Sequence, residues 1–140
     1  MEFTFDTNVS ESERQLIQNQ VVAYSDVNSS PRNFKSIALV LRNEANVVVG
    51  GVVGGIIWDW LMIDLLWVTE ELRGQGHGRR LIAQIEQNAI AMGCNNSRLD
   101  TFDFEAKDFY LKCGYRAYGS LAEFPRGHTQ FHMQKRLPHA

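Results

Sequence analysis

Between residues 65 and 81 the chain reads Leu65-Leu66-Trp67-Val68-Thr69-Glu70-Glu71-Leu72-Arg73-Gly74-Gln75-Gly76-His77-Gly78-Arg79-Arg80-Leu81. A strand-like apolar run ends at Val68, three glycines fall at alternate positions, and a helical pattern begins at once. A helix N-terminus presents unpaired N–H groups and partial positive charge, which together hold a phosphate. Gly74, Gly76 and Gly78 let the backbone approach an anion without Cβ obstruction, and Arg73, Arg79 and Arg80 add charge to the same loop. The segment reads as a cradle for a diphosphate; a tight strand-to-helix turn with no ligand is the other reading. A Walker loop fits less well, because no Lys-Ser/Thr follows the last glycine. A dinucleotide GxGxxG fingerprint fits less well too, because Arg79 stands where its third glycine belongs. His128 and His132 are the only histidine pair that invites a metal. Four residues along a strand span about 13 Å, too far for shared ligation, so no metal is expected.

The elements that must position this loop follow from periodicity. Glu2 to Phe5 suits a short strand. Ser10 and Glu13 have the spacing of a capping box, and behind them Leu16, Ile17, Val21 and Tyr24 recur at helical spacing. Asp26 to Arg32, rich in Asn, Ser and Pro, is a loop. Ser36–Leu41, Val47–Trp58 and Leu61–Val68 read as three strands with short connections, an antiparallel meander. Gly50, Gly51, Gly54 and Gly55 inside the second of them point to bulges or close backbone approach. Gly76 to Met92 is a helix with Leu81, Ile82, Ile85, Ala89 and Met92 on one face, closed by Gly93. Ser97–Phe102 is a strand, Glu105–Lys112 a short helix ended by Gly114, and Tyr115–Ser120 with Thr129–Arg136 a final strand pair. This order makes a mixed α/β domain.

The bulk properties are those of a single globular domain over residues 1–140. Hydrophobic residues make up 44% and charged residues 21% of 140, enough to bury a core without staples. A net charge of −2 gives no electrostatic footprint for nucleic acid or a membrane surface. Cys94 and Cys113 form no CxxC or Cys/His spacing, which suits a reduced cytoplasm. The first residues lack the apolar region of a signal peptide, and no apolar run has the length of a membrane span.

Arg73-Gly74-Gln75-Gly76-His77-Gly78 matches the R/Q-x-x-G-x-G/A signature of the GNAT superfamily of N-acetyltransferases. Ala106-Lys107-Asp108-Phe109-Tyr110-Leu111-Lys112-Cys113-Gly114-Tyr115 resembles the AxxFYxKxGF segment of the same superfamily. The two blocks stand in the expected order, separated by one helix and one strand. The specific motifs cover about the middle third of the chain; the element order agrees over nearly all of it. The resemblance implies a mostly antiparallel central sheet with one splayed pair of strands and helices on both faces. It implies acetyl-CoA as co-substrate, with pantetheine lying between the strand ending at Val68 and Ser97–Phe102. The implied contacts to the coenzyme are Trp67, Val68, Arg73, Gly74, Gln75, Gly76, His77, Gly78, Arg79, Ala106, Phe109 and Tyr110.

In such enzymes an amine attacks the thioester directly, without an acyl-enzyme. The resemblance assigns the Val68 N–H to the developing oxyanion. It assigns Tyr110 as the acid for the leaving thiolate, a core tyrosine bonded to backbone being the alternative. Asp64 is the expected base. It interrupts an apolar run, where a carboxylate is costly unless paired or functional, and strict alternation puts it on the face of Leu66 and Val68. A structural partner for an arginine or a solvated strand end is its other reading. His128, after a Pro-Arg-Gly turn, is the second candidate base, with an exposed loop histidine as the alternative. His77 is expected exposed. Trp58 and Trp60, one face by alternation, suit either an aromatic wall for the acceptor or packing on the first helix. Tyr24, Asp64, Asp100 and His128 complete the expected acceptor contacts, with Asp59 and Asp103 as further negative charge for a cationic amine. The acceptor is a small-molecule or peptide amine. A homodimer is carried over from the resemblance. A non-catalytic acyl-CoA sensor and a different nucleotide-binding domain are the competing readings.

Overall fold

A computed structural model describes residues 1–138, and by its contacts the chain divides into two compact units, Met1–Arg32 and a second from Asn33 onward. The first holds α1 (Glu11–Asn28). Its start is the predicted capping box: Ser10 Oγ accepts the Glu13 N–H at 3.2 Å, and the Ser10 N–H donates to Glu13 Oε1 at 2.8 Å. The strand expected at Glu2 to Phe5 does not form.

The second unit carries β1 (Lys35–Arg42), β2 (Val48–Ile57), β3 (Trp60–Val68), α2 (His77–Ala91), β4 (Asn96–Phe102), α3 (Lys107–Lys112), β5 (Arg116–Ala122) and β6 (Thr129–Arg136). They build one mixed six-stranded sheet in the order β1-β2-β3-β4-β6-β5. All neighbours are antiparallel except β3 and β4, which the crossover through α2 forces to run parallel. No helix among the described residues is long and apolar enough to cross a membrane.

The core lies between the sheet and α2, where Leu81, Ile82, Ile85 and Ala89 meet Val52, Leu61, Ile63 and Leu99. Tyr110 of α3 belongs to the same cluster. Met92, predicted on the apolar face, is exposed, because α2 has already ended at Ala91. Glu86 is buried in its place at 6% exposure. Its carboxylate accepts the Tyr115 hydroxyl proton at 2.8 Å and the Lys135 ammonium at 2.8 Å. Ser97 Oγ lies 2.7 Å from the same phenol oxygen, and Lys135 also donates to the Cys113 carbonyl at 2.8 Å. One carboxylate thus ties α2 to β4, β6 and the end of α3, each polar atom partnered as burial requires.

β2 and β3 change register between Val53 and Gly54: Val53 faces Leu65, Gly54 faces Ile63, and Asp64 is the extra residue. Gly54 is required there, since a Cβ would fall on the Met62 carbonyl. Gly54→Ala must move backbone that has no slack, and overpacking of this kind costs about 1–3 kcal/mol. A lower urea midpoint at unchanged slope is expected; an unaltered midpoint would show that the bulge tolerates a side chain. A second test concerns pH. Burial, then the Glu105 charge, pushes the Tyr110 phenol up to about 12, and burial with Glu86 raises Tyr115 further. Above pH 10 the unfolded chain sheds these protons while the folded one keeps them, so rising pH favours unfolding. Stability should be level below pH 9 and fall by up to about 1.4 kcal/mol per pH unit per tyrosine above pH 10. The fall should be shallower in Tyr115→Phe, and an equal slope in both proteins would contradict this account.

Candidate active site

β3 and β4 exchange hydrogen bonds only from Trp60↔Asn96 to Ile63↔Leu99. Beyond that point Asp64 to Val68 stay with β2, and Asp100 to Phe102 stay with β6. The strands part, leaving a gap bordered by unpaired backbone. The Thr69 N–H donates to the Val49 carbonyl at 2.8 Å, so alternation turns the Val68 N–H away from β2 and into the gap. Thr101 is 1% exposed, and its Oγ1 has no hydrogen-bond partner.

A cleft of about 820 Å³ opens from this gap toward the glycine loop. Trp67 and Val68 border it on β3, Gly76 to Arg79 at the start of α2, and Ala106, Phe109 and Cys113 on the α3 side. Gly74 and Gly76 have φ of 76° and 86°, the left-handed region that glycine enters without strain. Gly76 caps α2 without a side-chain hydrogen bond, and the first helical bond is from the Arg80 N–H to the Gly76 carbonyl at 3.1 Å. The amides of His77, Gly78 and Arg79 therefore stand ahead of the helical ladder, at the positive end of a 15-residue helix. At Gly78 a Cβ would press on the Phe109 ring at 3.3 Å, so this glycine lets α3 approach α2.

The arginines divide their work. Arg73 Nε donates to the Val68 carbonyl at 3.0 Å, pinning the loop to the end of β3, and the residue lines the cleft. Arg79 lines the cleft, whereas Arg80 faces a separate groove between β1 and α2. Gln75 lies outside the lining and donates to the Glu71 carbonyl at 3.1 Å. His77 is half-buried at the cleft wall rather than exposed. Lys112 and Cys113 also line the cleft, and sequence reasoning assigned neither a role. The family segment that marks Tyr110 passes through both, which was the signal available. Burial pushes the Cys113 thiol up, aided by Glu86 and opposed by Arg79 and Lys135. Tyr110 itself is buried, its ring edge-on to Phe109 at 5.1 Å and to Tyr115 at 6.0 Å. Burial, then the Glu105 and Cys113 charges, raise its pKa.

The bulge alters the expected face of Asp64. Ile63 is buried and Leu66 and Val68 pack on the core, while Asp64 and Leu65 are both exposed. Asp64 stands on the sheet face opposite to Leu66 and Val68, because one extra residue inverts the alternation. On β4, Ser97, Leu99 and Thr101 are buried, which leaves Asp100 on that same outer face. Asp100 Oδ1 is 2.7 Å from His132 Nδ1 and 3.5 Å from Arg98. Asp103 accepts from His128 at 2.9 Å and from the Thr129 N–H at 3.1 Å, fastening the loop after β4 to the start of β6.

Trp58, Trp60 and Asp59, also expected at the acceptor, do not converge here. Trp58 lies in the β2–β3 turn at φ 53°, so strand alternation does not pair it with Trp60. Both stand at the far end of β3, about 26 Å along the strand from Val68. Asp59 accepts from the Asn95 side chain at 3.0 Å at that same end. Tyr24 lies on α1, in the first unit.

Known proteins share this arrangement. The profile described as the Acetyltransferase (GNAT) family matches residues 7–115. Blasticidin-S acetyltransferase of Streptomyces morookaense is 43% identical over 95 residues, 67% of this chain and 70% of that protein. An acetyltransferase of Agrobacterium fabrum is 30% identical over 137 residues, 98% of this chain and 100% of its own. The crystal structure of an acetyltransferase from Bacillus cereus superposes with a TM-score of 0.91 at 36% identity, covering 96% of this chain and 98% of that one. With the parted strands, the uncapped helix and both sequence blocks in place, the chain belongs to the GNAT family of acetyltransferases.

Proposed function

We propose that this chain, working as a single acyltransferase domain, moves the acetyl group of acetyl-CoA to a primary amine of a small molecule by direct attack. The observation that carries this reading is the parting of β3 from β4 directly beside an uncapped helix N-terminus. A diphosphate suits the amides of His77 to Arg79, with Arg73, Arg79 and Lys112 as counter-charges. Pantetheine amides suit the unpaired strand edges, in the manner of an added strand, and the buried Thr101 hydroxyl supplies a further polar partner. The similarity to a blasticidin-S acetyltransferase supports a small-molecule acceptor.

In this reading the Val68 N–H donates to the thioester oxygen as it becomes an oxyanion. The exposed Asp64 carboxylate draws a cationic amine to the gap from the outer face. Tyr110 keeps its proton to about pH 12, so its hydroxyl is a donor throughout the working range. A phenol so weakly acidic stabilises the departing sulfur by hydrogen bonding, and solvent completes the protonation. Cys113, raised by burial, is held as a thiol and makes a poor nucleophile, which favours direct attack over an acyl-enzyme.

Calorimetry with acetyl-CoA tests the cradle. The intact chain should bind, and Gly76→Asp, which places a carboxylate in the anion site, should lose at least about tenfold in affinity. A panel of blasticidin S, spermidine and n-butylamine, read by CoA thiol release, then tests transfer. Binding without release on any amine would favour the sensor reading, and absence of binding would overturn the acetyl-CoA assignment. On an accepted amine, Cys113→Ala should keep kcat within about threefold, while Tyr110→Phe should lower it roughly tenfold or more at unchanged acetyl-CoA affinity. Loss of turnover in Cys113→Ala would instead support an acyl-enzyme.

A further inference from the structure

Two imidazole–carboxylate pairs stand where β4 and β6 run together, and they are built differently. In the His128 pair both Asp103 oxygens are spent, one on the ring and one on the Thr129 N–H. The backbones of Asp103 and Thr129 bond as well, at 3.1 Å, and the His128 ring sits edge-on to Phe104 at 4.9 Å. That pair fastens a loop. The His132 pair fastens nothing: it joins two residues that the sheet register already places opposite each other. Its Asp100 is the first residue of β4 beyond the parallel pairing, just as Asp64 is the first of β3. The imidazole is therefore held one strand spacing, about 4.8 Å, from the strand that borders the gap, on the face where Asp64 lies.

We propose that His132, oriented by Asp100, is the base that takes the proton of the attacking amine; this rests on the transfer reading above. Asp100 engages Nδ1 at 2.7 Å, so the neutral ring carries its proton there and presents the Nε2 lone pair. The same carboxylate stabilises the imidazolium once the proton arrives. The ammonium first gives one proton to His132 Nε2, directly or through one water, and His132 passes it to solvent. The freed amine nitrogen then forms a bond to the thioester carbon, the adduct nitrogen loses its second proton to the neutral ring, the C–S bond breaks, and the thiolate takes up one proton. The products are the amide, CoA-SH and one proton released to solvent. A free imidazole is a stronger base than a free carboxylate by about two pKa units, so the dyad suits this transfer better than Asp64, which remains the anchor for the cation.

The charged and titratable groups facing the ring are Asp100 and Arg98 from β4 and Tyr118 from β5 at 6.0 Å between ring centroids; Asp64 lies on the same sheet face, across the gap on β3. The test is the pH dependence of kcat for the intact chain, His132→Gln, Asp100→Asn and Asp64→Asn, on the fastest amine of the panel, with acetyl-CoA calorimetry alongside. His132→Gln should lose roughly a hundredfold in kcat near neutrality, keep its acetyl-CoA affinity within about twofold, and lose the acidic limb of the profile. Asp100→Asn should lower kcat roughly tenfold at unchanged acetyl-CoA affinity, because the ring loses the partner that fixes its tautomer and orientation. This variant carries the test if His132→Gln fails to fold. Asp64→Asn should raise KM for the amine and leave the limb in place. A limb that persists in His132→Gln, or that disappears in Asp64→Asn, overturns the assignment while the transfer reading stands. An intact chain that releases no CoA with any amine overturns that reading, and this assignment with it.

Discussion

Beyond Ile63 and Leu99 two neighbouring strands stop exchanging hydrogen bonds, and the rest of the second unit is arranged around that interruption. Backbone N–H and C=O groups in a sheet interior demand partners, so a parted pair costs free energy unless something else satisfies the edges. The bulge at Asp64 makes the parting possible on β3. Gly54 opposite, with no room for a Cβ, lets β2 follow the bend. On the other side β6 holds β4 along its whole length, from Asn96 to Phe102. The gap thus has a strand on each side, each held by its outer neighbour.

The glycine loop stands beside that gap and shares its cleft. Arg73 holds the end of β3 through the Val68 carbonyl, Gln75 holds the turn before the helix, and the amides at the start of α2 stay unsatisfied beside the cleft. α3 closes the wall only because Gly78 admits the Phe109 ring. Behind both helices the buried Glu86 carboxylate bonds Tyr115 and Lys135, and Lys135 reaches the Cys113 carbonyl at the end of α3. The side chains that border the cleft are therefore fixed relative to α2 by charge-assisted bonds as well as by packing.

Features that depend on neighbours in the chain were legible in the residues. The capping box at Ser10, the α2 stripe from Leu81 to Ala89, the helix-closing glycines Gly93 and Gly114, and the strand limits within about two residues all follow local spacing. The glycine loop between β3 and α2 was legible as well, with Gly74 and Gly76 at positive φ, and so was the family segment through Tyr110. Glu2 to Phe5 was misread because a short apolar alternation has no partner strand to make it a strand.

Tertiary structure decided what depends on register between distant segments. One extra residue at Asp64 inverts the side-chain alternation, and no local pattern in β3 reveals it. Trp58 left the expected pair because it occupies a turn, where period-two reasoning does not hold. Asp100 and His132 are 32 residues apart, and Glu86 and Lys135 are 49 apart. Neither pair has a spacing that a sequence could display, since their contact exists only once β4 and β6 have paired and α2 has docked. Chemistry carried by one loop was written in residue types. Chemistry shared between strands was not, because a pleated sheet sets partners by pairing across the chain and faces by parity along it.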